Sequence, residues 1–177
     1  MTVVFYLCSC SIIVKLIKEN LDMKTYRFLK ITSPEDLNIS YKIRKKVFCE
    51  EQNISEKIEF DNQDHLCEHF LICKDKIFIA TARVRPKIEN IFKIERVAVL
   101  PEFRRLKIGS LLINKIIEFY LNSKKNNNKI ILHSQVAVEA FYKTLNFVSY
   151  GNEFYEDGIP HIAMKLKIKK IRQSQIQ

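Results

Sequence analysis

The stretch from residue 97 to residue 113 constrains the fold most, because an apolar strand passes through a short basic loop into an apolar helix. It reads V-A-V-L-P-E-F-R-R-L-K-I-G-S-L-L-I, and the strand ends at Pro101. A helix start carries unpaired backbone N–H groups and a partial positive charge, so it attracts anions. The segment therefore predicts a strand–loop–helix unit whose loop can bind a diphosphate.

Basic and small residues surround the start of that helix: Arg104, Arg105, Lys107, Gly109 and Ser110. The loop matches neither of the two best-known phosphate-binding sequences. The pattern G-x-x-x-x-G-K-[ST] is absent, and the three glycines of the chain are too far apart for G-x-G-x-x-G. Spacing alone does not decide whether the loop is a phosphate-binding site or an ordinary basic surface loop.

Length and charge limit the kinds of protein and partner. A chain of 177 residues most simply forms one domain, large enough for a core without disulfide staples. Its formal net charge of +10 attracts anions such as nucleic acids, acidic membranes or phosphorylated small molecules. No helix-turn-helix, zinc-finger or RNP motif is present, so we do not predict a nucleic-acid partner.

Cysteine usage and the N-terminal segment indicate a cytoplasmic protein without a membrane partner. The five cysteines lack paired C-x-x-C spacing, so reduced thiols are expected rather than disulfides or a zinc site. The apolar run at 3–14 is too short to span a bilayer and lacks the basic residues and cleavage site of a signal peptide. We expect an N-terminal extension at 1–22, a domain at 23–168 and a basic tail at 169–177.

Hydrophobic periodicity predicts a mixed α/β chain. Helices are predicted from the N-cap Ser33 to about residue 49, and at 108–121 and 137–145. Consecutive strands followed by alternating helices and strands imply a mixed sheet with helices on both faces. The predicted strands are 26–31, 69–74, 77–85, 91–100, 129–134, 148–153 and 162–168.

The element order and the basic loop together resemble the GNAT superfamily of N-acetyltransferases. The acetyl-CoA motif of that family, R/Q-x-x-G-x-G/A, lies within the longer pattern V-x-P-x-[YF]-R-G-x-G-I-G-x-x-L. This chain has V-L-P-E-F-R-R-L-K-I-G-S-L-L. Arg104 matches the motif arginine and Gly109 its final glycine. Arg105 and Lys107 stand at glycine positions and add positive charge.

A second block, F-Y-K-T-L-N-F at 141–147, is similar to the family pattern F-Y-x-x-x-G-F. Asn146 stands in the glycine position, which it can fill because asparagine tolerates left-handed backbone conformations. Three further blocks resemble the ElaA-like acetyltransferases and the divergent glucosamine-phosphate N-acetyltransferases related to them. These blocks are V-F-C-E-E-Q-N at 47–53, E-H-F at 68–70 and D-G-I-P-H-I-A-M at 157–164.

The resemblance implies the GNAT fold, with acetyl-CoA as the co-substrate and no metal. That fold has a central, mostly antiparallel mixed sheet of six or seven strands, flanked by helices on both faces. Its fourth and fifth strands splay to admit the cofactor, and backbone groups of the fourth strand pair with the pantetheine arm. The implied cofactor-binding residues are Val97, Ala98, Val99, Arg104, Arg105, Leu106, Lys107, Ile108, Gly109, Ser110, Phe141 and Lys143.

The resemblance also implies direct transfer of acetyl to an amine through a tetrahedral intermediate. Tyr142 is the predicted general acid, since the family places this tyrosine beside the departing sulfur. Glu95 on the fourth strand is the predicted general base, and His133 at the end of the fifth strand is the second candidate. Plain packing of Tyr142 and a salt-bridged strand carboxylate at Glu95 are the alternatives.

Two sets of residues are predicted to contact the acceptor amine. Arg83 and Arg85 share one strand face by their period-two spacing, so they either clamp a phosphate or lie on a basic surface. The branch-specific blocks add candidates for sugar hydroxyls, the amine or the cleft wall: Glu51, Gln52, His69 and His161. The acidic segment at 61–69 matches no EF-hand or H-E-x-x-H spacing, so we expect a solvated loop without a metal.

The predicted reaction is acetylation of glucosamine 6-phosphate to N-acetylglucosamine 6-phosphate, a step of UDP-N-acetylglucosamine biosynthesis. Acetyl-CoA and a sugar phosphate are both anionic, in keeping with the positive charge of the chain. The first alternative is an ElaA-like transferase acting on another amine, such as a polyamine or a peptide N-terminus. The second is a non-enzymatic module that binds anions or RNA. We predict a homodimer only by analogy with related proteins.

Overall fold

The computed structural model describes residues 25–122 and 128–168, so the predicted extension at 1–22 and tail at 169–177 lie outside it. Within these residues a single seven-stranded sheet has the order β1-β2-β3-β4-β5-β7-β6. Neighbouring strands are antiparallel except β4 and β5, which confirms the predicted mixed sheet. The strands are β1 Tyr26–Lys30, β2 Glu68–Lys74, β3 Ile77–Pro86, β4 Ile91–Val99, β5 Lys129–Gln135, β6 Phe147–Glu156 and β7 Ile159–Leu166.

Four α-helices accompany the sheet in the described part of the chain: α1 Pro34–Arg44, α2 Glu56–Glu59, α3 Ile108–Leu121 and α4 Glu139–Thr144. Helix α3 has the bounds predicted for it. Helix α1 begins where predicted, because Ser33 Oγ accepts a hydrogen bond from the Asp36 N–H at 3.1 Å. Among these residues, no helix combines the length and the apolar character that crossing a membrane requires.

The first helix differs from its prediction beyond Arg44. We predicted one α-helix to about residue 49, whereas the chain widens into a π-helical segment at Lys45–Glu51. Apolar spacing does not separate the two forms, because Ile43 and Val47 are buried on the same side in either case. Turns of π-helix are rare and occur often at functional sites.

The sheet buries apolar side chains on both faces, which confirms the predicted layers. Alternation along β2 shows this, because Phe70 and Ile72 belong to the core on the α3 side. Leu71, between them, packs with Ile43 and Val47 on the α1 side. The loop before α3 and the π-helical segment after α1 therefore approach one end of the sheet from opposite faces.

Strand β4 has a bulge at the point where β5 leaves it. Thr81 of β3 faces Ala98, while Arg83 faces Glu95, so β4 has one extra residue between these pairs. Strand β4 pairs with β5 only over residues 91–94 within the described chain. The two strands then separate, as predicted, and the exposed edge of β4 has no ladder partner on that side.

The last two strands are longer than predicted and meet in a two-residue turn. The predicted strands, 148–153 and 162–168, stop short of it, whereas β6 and β7 continue up to it. Asp157 and Gly158 have φ of 51° and 77°, as in the tight hairpin turns that favour Asp-Gly. This hairpin tip lies beside the gap between β4 and β5.

Candidate active site

A cavity of about 250 Å³ opens where β4 and β5 separate. It brings together five residues predicted for catalysis or acceptor binding: Gln52, Glu95, His133, Tyr142 and His161. A small concave site with several ionisable side chains is typical of a catalytic centre. The remaining lining residues are Phe48, Ile54, Ile58, Glu59, Lys93, Ile94, Arg96, Val97, Ser134, Gln135, Val138, Glu156, Asp157 and Ile159.

Tyr142 lies on α4 and is only 9% exposed. Its ring makes edge contacts with Phe141 and Phe147, at centroid distances of 5.0 and 5.9 Å. Burial raises the pKa of its hydroxyl to about 12, so the group is protonated at neutral pH. The hydroxyl has no hydrogen-bond partner among the described residues and is available as a proton donor.

Glu95 lies among three cations. Its carboxylate is 2.9 Å from Arg83 Nη2, 3.1 Å from Arg85 Nη2 and 3.2 Å from Lys93 Nζ. Burial alone raises the pKa of Glu95, but the charges of Lys93 and the two arginines outweigh burial and lower that pKa. The carboxylate therefore stays ionised and engaged, which makes it a weak proton acceptor.

His133 forms a pair with Glu156, a residue that the sequence analysis did not single out. Its Nδ1 lies 2.5 Å from Glu156 Oε1, and an ionised carboxylate only accepts, so Nδ1 donates. The neutral ring then has its lone pair on Nε2. Burial raises the pKa of Glu156, but the hydrogen bond from His133 and the charge of Lys93 bring it below its ordinary value.

His161 has a similar tautomer, because its Nδ1 donates to the Ile159 carbonyl oxygen at 2.8 Å. Phe154 lies between the two histidines, with its ring centroid 4.9 Å from that of His133 and 6.2 Å from that of His161. Gln135 Nε2 donates to Gln52 Oε1 at 3.4 Å. The cavity thus holds two imidazole rings, each held by a hydrogen bond at Nδ1.

Arg83 and Arg85, predicted to clamp a phosphate, lie outside the cavity lining. Arg83 is 1% exposed, and its Nη1 donates to Asp61 at 2.8 Å and to Asp64 at 3.0 Å. Arg85 Nη2 lies 3.4 Å from Asp61 and 3.1 Å from Glu95. Both guanidinium groups are therefore already paired with carboxylates of the chain itself.

The segment at 61–69 is not the solvated loop that we predicted. Asp64 and His69 are buried, and His69 Nε2 donates to the Asp64 carbonyl oxygen at 3.1 Å. Burial lowers the pKa of His69, so the ring is neutral, and it lies outside the cavity lining. Arg44 is 2.7 Å from Asp64 and 2.6 Å from Glu59. Among the described residues, no group of His, Cys, Asp and Glu could hold a metal ion.

The motif arginine is held by Glu51. Arg104 Nη1 and Nη2 lie 2.6 and 2.5 Å from the two carboxylate oxygens of Glu51. Its Nε donates to the Val99 carbonyl oxygen at 3.0 Å. The hydrogen bond from Arg104 lowers the pKa of Glu51. Arg104 was predicted to bind the cofactor and Glu51 to contact the acceptor. In the structure the two side chains bind each other and so join the basic loop to the π-helical segment.

Three residues adopt the left-handed conformation at positions where the GNAT motifs have glycine. The angle φ is 61° at Arg105, 61° at Lys107 and 65° at Asn146. A left-handed conformation costs a residue other than glycine roughly 1–2 kcal/mol, and asparagine less. The loop before α3 thus keeps a glycine-like backbone and adds two exposed cationic side chains.

The first turn of α3 offers backbone donors. Leu111 donates to the Lys107 carbonyl oxygen at 2.9 Å, and the N–H groups of Ile108, Gly109 and Ser110 precede this bond. Such groups have no acceptor within their own helix. Together with the cations of the loop, these N–H groups are of the kind that could bind a diphosphate.

Helix α4 packs directly against this turn. A Cβ on Gly109 would lie 3.3 Å from Phe141 Cζ, so the glycine permits close approach of the two helices. Lys143 Nζ forms an ion pair with Glu139 at 2.8 Å, and Leu106 is 52% exposed at the surface. Phe141 therefore supports the turn, and the side of Gly109 that lacks a side chain faces this ring and Val99.

These features fit coenzyme A. The unpaired edge of β4 offers backbone groups for the amides of pantetheine, and the first turn of α3 offers donors for the diphosphate. Arg105 and Lys107 add positive charge beside that turn. The cavity with Tyr142 lies at the gap where β4 and β5 part, next to the same edge of β4.

Comparison with known proteins agrees with this geometry. A model of the acetyltransferase (GNAT) domain matches residues 33–168. YyaT of Bacillus subtilis is 34% identical over 144 residues, which cover 80% of this chain and 95% of YyaT. The crystal structure of Escherichia coli ElaA has a TM-score of 0.71 and 25% identity, covering 80% of this chain and 99% of ElaA.

A more distant structure shares the fold. It is a GNAT family acetyltransferase from Elizabethkingia anophelis with acetyl-CoA bound, at a TM-score of 0.62 and 16% identity. The match covers 81% of this chain and 99% of that one. On the domain match and the similarity to YyaT and ElaA, the chain belongs to the GNAT acetyltransferase family.

Proposed function

We propose that the protein transfers the acetyl group of acetyl-CoA directly to the primary amine of a small acceptor bound in the cavity. The observation that carries the proposal is the position of Tyr142. Its protonated hydroxyl, without a partner among the described residues, belongs to the cavity where β4 loses its neighbour. Membership of the family supports acetyl-CoA as the donor.

Backbone and basic groups would hold acetyl-CoA. The first turn of α3, with Arg105 and Lys107, suits the diphosphate, and the open edge of β4 at Val97, Ala98 and Val99 suits the pantetheine arm. Bound there, acetyl-CoA supplies an acyl group activated as a thioester. A strand N–H directed at the thioester oxygen contributes roughly 10²–10³ in rate.

The reaction moves two protons, and the cavity has a group suited to each. His133 accepts the proton of the acceptor ammonium at Nε2, because its Nδ1 is committed to Glu156. Glu95 is the second candidate for this role, weakened by the three cations around it. As the new C–N bond forms and the C–S bond breaks, Tyr142 donates its proton to the departing thiolate, and the second proton that the nitrogen loses restores the tyrosine hydroxyl.

The nature of the acceptor follows from what the cavity offers. The prediction of glucosamine 6-phosphate relied on Arg83 and Arg85 as a phosphate clamp. Both side chains are bound to carboxylates and neither lines the cavity. This geometry favours the alternative, an amine without a phosphate group.

Thiol release measures the proposed reaction directly. The protein would be incubated with acetyl-CoA and a panel of primary amines that includes glucosamine 6-phosphate, glucosamine, alkyl amines and a short peptide. We expect amine-dependent release of coenzyme A and a mass gain of one acetyl group on the amine. Calorimetric titration with coenzyme A, without an acceptor, measures the cofactor site separately.

Two results would change the assignment. Failure to bind coenzyme A would contradict the enzymatic function and leave a basic module that binds other anions. Turnover of glucosamine 6-phosphate together with inactivity towards glucosamine and the alkyl amines would restore the sugar phosphate as the acceptor.

A further inference from the structure

The cavity differs from the whole protein in its balance of charges. Its lining holds four carboxylates and two permanent cations: Glu59, Glu95, Glu156 and Asp157 against Lys93 and Arg96. The complete chain has a formal net charge of +10. Arginines outside the lining also contact Glu59 and Glu95, so the remaining excess of negative charge is that of Glu156 and Asp157.

Neither cation of the lining is available to an anionic group. Lys93 Nζ lies 3.2 Å from the Glu95 carboxylate, and Arg96 Nε lies 2.9 Å from that of Glu59. Both carboxylates are almost fully buried, with side chains 9% and 2% exposed. A phosphate at either cation would compete with the buried carboxylate that already pairs with it.

Asp157 is the exception among these carboxylates. It has no ion pair or hydrogen bond among the described residues, and it lies exposed in the turn between β6 and β7. Its neighbour Glu156 accepts a hydrogen bond from His133 Nδ1, and Lys93 Nζ is 4.0 Å from the Glu156 carboxylate. Negative charge is therefore concentrated at the hairpin tip, where Asp157 has no partner among the described residues.

We infer that the acceptor is a small organic dication. One amine is acetylated near Tyr142, and a second ammonium or guanidinium group lies against Asp157. The inference depends on the proposed acetyl transfer in this cavity. A volume of 250 Å³ is that of about eight water molecules, which suits a short alkyl chain between the two nitrogens.

Matched amines test the second charge. Initial rates with acetyl-CoA would be compared for 1,4-diaminobutane, for butylamine, which lacks the far ammonium, and for 4-aminobutanoate, which carries a carboxylate there. We expect kcat/KM for the diamine to exceed that for butylamine about tenfold, since a charge-assisted contact is gained. The aminobutanoate should be the poorest substrate of the three.

Two variants assign that preference to one side chain. Asp157→Asn should reduce the ratio of kcat/KM for diamine over butylamine about tenfold. Glu153→Gln also removes a carboxylate, but from an exposed position of β6 outside the cavity lining, so the ratio should be unchanged. A ratio equally reduced by both variants would indicate a general effect of charge and overturn the assignment.

The outcomes separate this inference from the proposed function. Preference for butylamine or glucosamine 6-phosphate over the diamine would overturn the inference that the acceptor is a dication. It would leave the proposed acetyl transfer unaffected. Coenzyme A binding without acetylation of any diamine also overturns the dication. Absence of both coenzyme A binding and amine-dependent thiol release overturns the proposed function itself.

Discussion

At the scale of single residues, the cavity pairs a proton donor with a proton acceptor. Burial keeps the Tyr142 hydroxyl protonated, with a pKa of about 12. Glu156 stays ionised and fixes the tautomer of His133. Neighbouring groups with opposite proton states are what acid–base chemistry on one substrate needs.

Tyr142→Phe tests the donor, because it removes one hydroxyl and keeps the ring. We expect kcat to fall roughly 10²-fold while the Kd for coenzyme A stays within about twofold. Tyr120→Phe is the matched control, since Tyr120 is also buried but donates to Glu68, and neither residue lines the cavity. Equal kcat for Tyr142→Phe and the unaltered protein would remove this hydroxyl from the mechanism.

Substitution distinguishes the two candidate bases. If His133 accepts the proton, His133→Gln removes the acceptor, and we expect kcat/KM for that variant to fall roughly 10²-fold at neutral pH. Glu95→Gln should retain most of the activity, and a greater loss there than in His133→Gln would identify Glu95 as the base.

At the scale of elements, α3 and α4 depend on the absence of a side chain at residue 109. Gly109→Ala places a methyl group 3.3 Å from Phe141 Cζ, so the ring must shift. We expect a loss of about 1–3 kcal/mol in the free energy of unfolding, measured by denaturant titration. Phe141→Leu in the same background should recover part of the loss, and strictly additive effects would contradict the contact.

The ion pair between Arg83 and Asp61 makes stability depend on pH. Hydrogen bonds from Arg83 hold the pKa of Asp61 far below its ordinary value of 3.8. A carboxylate with a lowered pKa in the folded state stabilises above its unfolded pKa and loses that effect as pH falls. Asp61→Asn should therefore destabilise by about 2 kcal/mol at pH 7, and this difference should shrink below about pH 4.

A turn residue provides the control for that measurement. Asp75 is exposed between β2 and β3 with φ of 48°, a conformation that asparagine tolerates. The unfolding free energy of Asp75→Asn should follow that of the unaltered protein at every pH. An Asp61→Asn difference that stays constant from pH 7 to about pH 3 would contradict the assigned cause.

Elements with local signals were predictable, and those set by distant contacts were not. Helix α3 matches its predicted bounds because its apolar period and its loop are contiguous in sequence. The cluster around Arg83 was missed because Asp61 lies 22 residues away, and only the fold pairs them. The π-helical segment has no periodic signature of its own. Asp157 and Gly158 did carry a turn signal, which we took only for a family resemblance.

At the scale of the whole molecule, the cations of the basic loop should govern the affinity for coenzyme A. In the double variant Arg105→Asn/Lys107→Asn, asparagine keeps the left-handed backbone and removes both charges. We expect Kd to rise about tenfold and to depend less steeply on salt, measured by calorimetry at two ionic strengths. Lys115→Gln, farther along α3, is the control, and an equal effect there would indicate net charge rather than the loop.

The hairpin between β6 and β7 has a consequence for how such enzymes diversify. Its tip brings Glu156 and Asp157 to the cavity, whereas the basic loop lies about fifty residues earlier in the chain. Surface connections vary more easily than the elements they join. Exchanging this tip between relatives is thus a route to new amine preferences that leaves thioester recognition intact.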